Sequence, residues 1–381
     1  MKSNLKICSK CIYDENVPNI SFDEEGVCNY CKQIEEMKIL YQTGTPEGEK
    51  RLQRIIHEIK NAGKGNKYDC AIGVSGGTDS SFLLAKAVEW GLKPLAVHYD
   101  NTWNTAIATE NIRKVTQKLR VDLFTHVVDN KEADDLVKAF FLSGTSDLDA
   151  PTDIALAETM YRAASKYKIK YVLEGHSFLA EGISPLSNSY CDGKYIDSIH
   201  QRFGEVELKT FPNMRFWTFL KWTLFKRIKK IRPLWYINYT KHEARAFLEK
   251  EFGWQYYGGH HLENRISAFS HSYFLPTRFG IDQRNNSISA AVRNGVMTRE
   301  EGLHEYYETE PYIEPELISY FKKRLSLSDK DFERAMNAPL KSYKDFETYK
   351  RLFEKLRPLF YLMAARQLVP MSFYMKYCNK L

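Results

Sequence analysis

The sequence predicts an α/β protein of 381 residues: a doubly wound parallel sheet, a small cysteine-rich module before it, and a mostly helical region after it. Three observations predict this. Short apolar runs alternate with helix-period segments from Tyr68 to Val128. Two Cys-x-x-Cys pairs precede them, and charged amphipathic helices follow from Glu314 to Leu381. The expected divisions are 1–45, 46–205 and 206–381.

Within the first, Cys8, Cys11, Cys28 and Cys31 form a C-x2-C-x16-C-x2-C pattern. Two such knuckles supply a tetrahedral thiolate set, and a closed four-sulfur site is structural zinc. A disulfide reading fits poorly, because Met1 to Lys10 is polar and resembles no signal peptide. Cys70, Cys191 and Cys378 are scattered and read as small apolar fillers. Gln42 to Glu49 reads as a linker, and Arg51 to Lys60 as a helix with Leu52, Ile55, Ile56 and Ile59 on one side. No run is long and apolar enough to span a membrane, so a cytoplasmic protein is expected, with peripheral contact to the inner membrane face left open. The net charge of +7 is compatible with a polyanionic ligand or an anionic surface and demands neither.

The chemistry centres on Tyr68 to Ser81. Cys70, Ala71, Ile72 and Val74 suit a buried strand, and Gly76 and Gly77 a tight turn. Thr78 or Asp79 can cap a helix from Ser80 to Trp90 that stops at Gly91. A helix N-terminus fronted by glycines suits a phosphate, and Asp79 at its mouth suits magnesium. The stretch is neither a GxxxxGK[ST] nor a GxGxxG motif. Ser75-Gly76-Gly77-Thr78-Asp79-Ser80 resembles instead the SGGxDS loop of the N-type ATP pyrophosphatases, the PP-loop enzymes. That resemblance implies cleavage of ATP to AMP and pyrophosphate with Mg2+, and an adenine-nucleotide alpha-hydrolase-like fold.

Further strands are expected at Pro94–Tyr99, Leu123–Val128 and Tyr171–Leu173, with helices at Thr105–Arg120 and Thr152–Lys168. In such a sheet ligands bind at the carboxyl ends of strands. Asp100 there could bond ribose or adenine, or be a solvated loop acid or helix cap. Glu174, Gly175 and His176 should face the same crevice.

From Phe211 to Tyr239, aromatic and aliphatic residues alternate with lysines and arginines. This reads as a basic amphipathic helix on an anionic membrane, as a nucleic-acid surface, or as a domain-joining helix with solvated lysines. Gly258-Gly259-His260-His261-Leu262-Glu263 follows, then Arg278 and Arg284. His261 and Glu263 could touch substrate or metal, and the two arginines phosphate or carboxylate.

Over nearly its whole length the chain resembles the N-acetyl sugar amidotransferases of bacterial lipopolysaccharide and flagellar-sugar biosynthesis. The resemblance rests on the paired knuckles with Asp23 to Cys28, the Ser75 to Ser80 loop, and Glu174-Gly175-His176 with Ala180 to Ile183. It continues through Ile231-Arg232-Pro233-Leu234, Phe252-Gly253-Trp254, Gly258 to His261, Leu275-Pro276 with Phe279 to Asp282, and Met297 to Glu301. It implies adenylation of an N-acetyl group on a nucleotide-activated sugar and displacement of AMP by ammonia, leaving an acetamidino group in a surface polysaccharide (O-antigen) precursor. Ser75, Asp79, His176 and His261 would be catalytic. Ser75 to Ser80, Asp100, Glu174 and Gly175 would bind nucleotide, and His261, Glu263, Arg278 and Arg284 the sugar substrate. Ammonia would come from a separate glutaminase accompanied by a synthase-like subunit resembling the histidine-pathway pair. Lys2 after Met1 and the absence of a GxCxG setting for Cys70 or Cys191 agree with a missing glutaminase. The alternative is a PP-loop RNA-modifying enzyme, a tRNA thiolase or lysidine-type ligase. No catalytic cysteine pair lies outside the knuckles to favour it, and no nucleic-acid partner is expected.

Overall fold

A computed structural model describes residues 5–183, 189–259, 262–366 and 368–378. The N-terminal module closes with helix α1 (Asn29–Tyr41). The expected linker is short, because Pro46 at the first helical position and Thr45 as cap start α2 (Pro46–Ala62) within it.

Strand β1 (Cys70–Gly73) leads into α3 (Thr78–Glu89), β2 (Pro94–Asp100), α4 (Ala106–Leu119) and β3 (Leu123–Val127). Helices α5 (Asn130–Ser143) and α6 (Ala150–Lys166) precede β4 (Tyr171–Leu173). Then come α7 (Phe178–Glu181), α8 (Gly193–Phe203), α9 (Phe216–Leu220), which continues as a π-turn over Lys221–Phe225, and β5 (Lys229–Ile231). The sheet is parallel throughout, in the order β3-β2-β1-β4-β5. The order reverses between β1 and β4, which opens a crevice beyond their carboxyl ends. Alternate residues of β1 serve opposite faces. Cys70 and Ile72 join the core with Leu52, Leu83 and Leu248, whereas Ala71 packs with Met160, Tyr161 and Ala164 of α6.

The sheet does not end at residue 205. Its edge strand β5 comes from the expected third division, and the basic segment is not one amphipathic helix. That segment turns at Arg227, whose φ is 52°, and then pairs Lys229–Ile231 with Tyr171–Leu173.

The remaining chain is helical: α10 (Lys241–Phe252), α11 (Arg265–Phe269) with a π-helical continuation over Ser270–Phe279, α12 (Arg284–Arg293), α13 (Arg299–Tyr307), α14 (Leu317–Arg324), α15 (Asp329–Asn337), α16 (Lys350–Lys355), α17 (Arg357–Ala365) and α18 (Met371–Phe373). Phe269, Phe274, Phe321 and Phe332 share a core with Phe140 and Phe141 of α5, which seats this region against the sheet domain. No helix among the described residues is long and apolar enough to cross a membrane.

Candidate active site and cysteine cluster

The turn between β1 and α3 is built by close approach. Gly76 has φ 82°, and a Cβ there would meet the Ala108 carbonyl oxygen at 2.3 Å, so only glycine lets α4 pack onto the loop. The Gly76 carbonyl accepts from Asn111 Nδ2 (3.3 Å) and Trp254 Nε1 (3.0 Å). Ser75 N–H donates to Ser80 Oγ at 3.3 Å, and Ser75 Oγ accepts from Gly77 N–H at 3.2 Å. Neither Thr78 nor Asp79 caps α3; Gly77 stands at the cap position, and the Tyr257 hydroxyl bonds Thr78 at the helix start. The positive end of the helix dipole lies at this turn, a position that suits an anion. Gly175, after β4, lies against this turn, since a Cβ there would sit 3.1 Å from the Asp79 backbone.

A charged cluster lines the crevice mouth. Tyr239 Oη donates to Asp79 Oδ1, and Lys241 Nζ lies 3.2 Å from Asp79 Oδ2 and 3.1 Å from Glu181 Oε1. Burial pushes the Asp79 carboxyl above its ordinary pKa against the opposing pull of Lys241. Burial disfavours the charge on Lys241, but Asp79 and Glu181 outweigh it and hold the ammonium protonated. Glu174 is engaged by its neighbouring strand: Lys230 Nζ lies at 2.7 Å and Arg232 Nε at 3.0 Å. Burial opposes its charge too, yet the two cations prevail and hold its pKa at about 2. Glu174 thus braces β4 to the β5 edge instead of standing free for a nucleotide.

His176 receives a hydrogen bond at Nδ1 from Trp235 Nε1 (3.3 Å), so its own proton sits on Nε2, which lies 3.9 Å from Glu181 Oε2. Burial, reinforced by the Arg232 guanidinium, pushes its pKa down to about 4. A histidine that is neutral when folded but titrates normally when unfolded takes up its proton mainly in the unfolded state. Its contribution to stability is therefore complete above about pH 6.5 and is lost as pH falls toward 4. Thermal midpoints of a His176→Gln variant should fall less steeply than wild type across that window.

The later segment reaches the loop through residues 263–265. Thr105 N–H donates to the Glu263 carbonyl, and Arg265 N–H to the Trp103 carbonyl, both at 2.9 Å. Asn264 Nδ2 donates to Asn101 Oδ1 (2.9 Å) and Asn104 Oδ1 (3.0 Å). Asn104 Nδ2 in turn lies 3.1 Å from His98 Nε2, whose ring holds the Val74 carbonyl through Nδ1 at 2.8 Å. A carbonyl only accepts, so this histidine is protonated at Nδ1 and accepts from Asn104 at Nε2. The chain of bonds fixes Glu263, whose Oε1 lies 3.5 Å from Ser75 Oγ and would be 3.1 Å from a Cβ on Gly77. Asn264→Ala removes both amide bonds and the cap that Oδ1 gives Ile266 N–H. A loss of about 2 kcal/mol in chemical denaturation is expected.

The other predicted site residues scatter. Asp100 Oδ1 accepts from Thr102 N–H at 2.8 Å and from Asn104 at 3.4 Å, a turn-closing arrangement next to the asparagine chain. Arg278 donates to the Ala338 carbonyl at 3.0 Å, beside Gly144. Arg284 is taken up by Asp282 at 2.7 Å and by the Glu305, Tyr306 and Thr309 carbonyls, so it ties α12 to α13. His260 and His261 lie outside the described residues. Sequence reasoning did not single out Tyr239 or Lys241 as site residues.

Cys8, Cys11, Cys28 and Cys31 converge as expected, with all four Sγ atoms within 4.8 Å of one another. The Cys8–Cys31 and Cys11–Cys28 separations are 3.9 Å. A tetrahedron of sulfurs about 2.3 Å from a central zinc has edges of about 3.8 Å, so the four thiols fit such a metal. Backbone N–H groups of Lys10, Tyr13, Cys28 and Cys31 point at the sulfurs. The later helices clasp the module: Arg299 donates to the Cys8 and Cys11 carbonyls, Arg293 reaches Cys31 Sγ at 3.9 Å, and Tyr307 bonds Asp14 at 2.8 Å.

Residues 263–357 match the family of LPS biosynthesis protein WbpG-like C-terminal domains. The match bears out the lipopolysaccharide resemblance for this part of the chain, and it begins at Glu263, the residue that meets the glycine loop. The uncharacterized protein MJ1599 of Methanocaldococcus jannaschii is 28% identical over 171 residues, which is 44% of this chain and 58% of that protein. Among solved structures, NMN synthetase from Francisella tularensis shares 13% identity with TM-score 0.33, covering 77% of this chain and 97% of its own. The NH3-dependent NAD synthetase of Campylobacter jejuni shares 14% with TM-score 0.30, covering 76% and 97%. The U34-tRNA thiolase NcsA of Methanococcus maripaludis, solved with its [4Fe-4S] cluster, shares 15% with TM-score 0.29, covering 90% and 99%.

Proposed function

We propose that this chain is an ATP-dependent amidotransferase that converts the N-acetyl group of a nucleotide-activated sugar into an acetamidino group for a bacterial surface polysaccharide. The observation that carries the reading is the meeting of Glu263 with Ser75 at 3.5 Å. There the WbpG-like segment supplies a carboxylate to the edge of the glycine turn.

The amide oxygen of the sugar attacks the α-phosphorus of ATP and pyrophosphate leaves. Ammonia then adds to the activated carbon, and AMP departs with the oxygen. The amides at the start of α3, with Ser75 and Ser80, bind the phosphates, and Lys241 balances their charge. A magnesium ion, when bound, supplies further neutralisation of the pyrophosphate. Asp79 would hold it, in exchange for the Lys241 contact seen here. Neutral His176, with its proton on Nε2, can donate a hydrogen bond to the sugar amide or to the departing AMP. The four cysteines would hold a structural zinc outside this chemistry. Ammonia comes from a separate glutaminase with its synthase-like partner, and the site is cytoplasmic.

Purified protein should release AMP and pyrophosphate with ammonium and one member of a panel of nucleotide-linked N-acetyl sugars. The product should be lighter by the difference between an oxygen and an NH group. Glutamine alone should not replace ammonium. Pyrophosphate release with tRNA, and with none of the sugars, would instead establish the RNA-modifying alternative.

A further inference from the structure

Two stretches of the chain carry cations and no acids. Residues 208–242 contain nine Lys or Arg and no Asp or Glu, and residues 355–381 contain five and none. These fourteen cations exceed the net charge of +7, so the rest of the chain, with 41 basic and 48 acidic residues, is net negative. The two stretches fold together. Phe216, Phe219 and Leu220 of α9 share a core with Phe360, Met363 and Ala364 of α17 and with Tyr374 beyond α18. Phe219 packs on Phe360 and Phe373, with ring centroids 6.4 and 5.0 Å apart.

The outer face of this unit is apolar where a core would be expected to end. Trp217 and Phe225 are 76% and 81% exposed, more than any other large apolar side chain among the described residues. They stand eight residues apart on α9 and its π-turn, with exposed Lys221 midway and Lys226 and Arg227 just beyond. Tyr361 and Leu362 of α17 and Met371 of α18 are exposed on the same unit. Several of the cations are neutralised internally: Lys230 and Arg232 by Glu174, Lys241 by Asp79 and Glu181, Arg215 by Asp197. Lys221 Nζ lies 4.8 Å from the centroid of the Trp222 ring, whose Nε1 donates to buried Glu158. Lys226 and Arg227 at the turn are exposed.

Interleaved aromatic tips and lysines, with no carboxylate in the local sequence, match an anionic bilayer surface. Indole and phenyl rings enter the headgroup boundary while the cations meet lipid phosphates. We propose that this face, centred on Trp217 and Phe225, docks the protein on an anionic membrane. The inference rests on surface charge and exposure and not on the assignment of the reaction.

The test is sedimentation of the full chain with vesicles of phosphatidylcholine alone and of equimolar phosphatidylcholine and phosphatidylglycerol. Binding to the anionic vesicles only, weakening as salt is raised, is expected. Trp217→Ser with Phe225→Ser should weaken it at least about tenfold without lowering thermal stability, because both rings are already in solvent. Lys221→Glu, Lys226→Glu and Arg227→Glu together should weaken it more than a hundredfold, at about fivefold or more per cation. No binding to anionic vesicles at low salt would overturn the proposal. So would binding untouched by loss of the two aromatic residues, or retention of single-stranded RNA by a protein that ignores the vesicles.

Discussion

Asp79→Asn should cut pyrophosphate release at least about a hundredfold while leaving the fold intact. The asparagine keeps the shape of the side chain and an oxygen for the Tyr239 hydroxyl, and Lys241 retains Glu181 at 3.1 Å. What is lost is the charge. Burial raises the Asp79 pKa, so at neutral pH the ionised carboxylate costs folding energy. A group with a raised folded pKa favours the folded state most when protonated, and a neutral amide imitates that form at every pH. The variant should therefore also lose less stability than wild type as the pH rises from the acid range to neutrality. Such a carboxylate, buried at the mouth of an anion-accepting turn, is explained by what it binds. Pyrophosphate release at the wild-type rate would detach Asp79 from the reaction. A collapse in thermal midpoint would show that its role is in folding.

Much of this arrangement was legible in the sequence because it is local. The glycine turn is a contiguous stretch, and the knuckle spacing brings four sulfurs together with only a short intervening loop. Strands β1 to β4 declare themselves as apolar runs. The fifth strand does not, because Lys229-Lys230-Ile231 has no apolar alternation. Its Lys230 is stable inside only because Glu174 on the adjacent strand accepts it. The same pairing changes the expected role of Glu174. Tyr239 and Lys241 were illegible for another reason: they meet Asp79 across some 160 residues, and nothing in a Tyr-Thr-Lys stretch distinguishes such a contact from a solvated helix start. The asparagine chain from Asn101 to Asn264 is likewise tertiary. Glu263 could be picked as a candidate, but only the bridge at Asn264 explains why it arrives at Ser75.

Removal of the metal should have the widest structural effect, because the cysteine module is gripped by helices distant in sequence. The isolated protein should carry one equivalent of zinc, and Cys8→Ser or Cys31→Ser should lose it. With three thiolates the module is too small to hold its own core of Tyr13, Val17, Val27 and Tyr30. The damage should then spread along identifiable bonds. Arg299 is positioned by the Cys8 and Cys11 carbonyls, Tyr307 by Asp14, and Asn286 by the Tyr13 hydroxyl at 2.6 Å. Amide hydrogen exchange should accordingly quicken in residues 5–41 and also in α12 and α13, while β1, β2 and α6 stay protected. Arg299→Ala separates the two halves of this account. It should loosen α13 with the metal still bound, since its guanidinium holds carbonyls and not sulfurs. If chelation loosened only residues 5–41, the clasp would be a passive contact. If the wild-type protein held no stoichiometric metal under reducing conditions, the four cysteines would have to be read as core thiols.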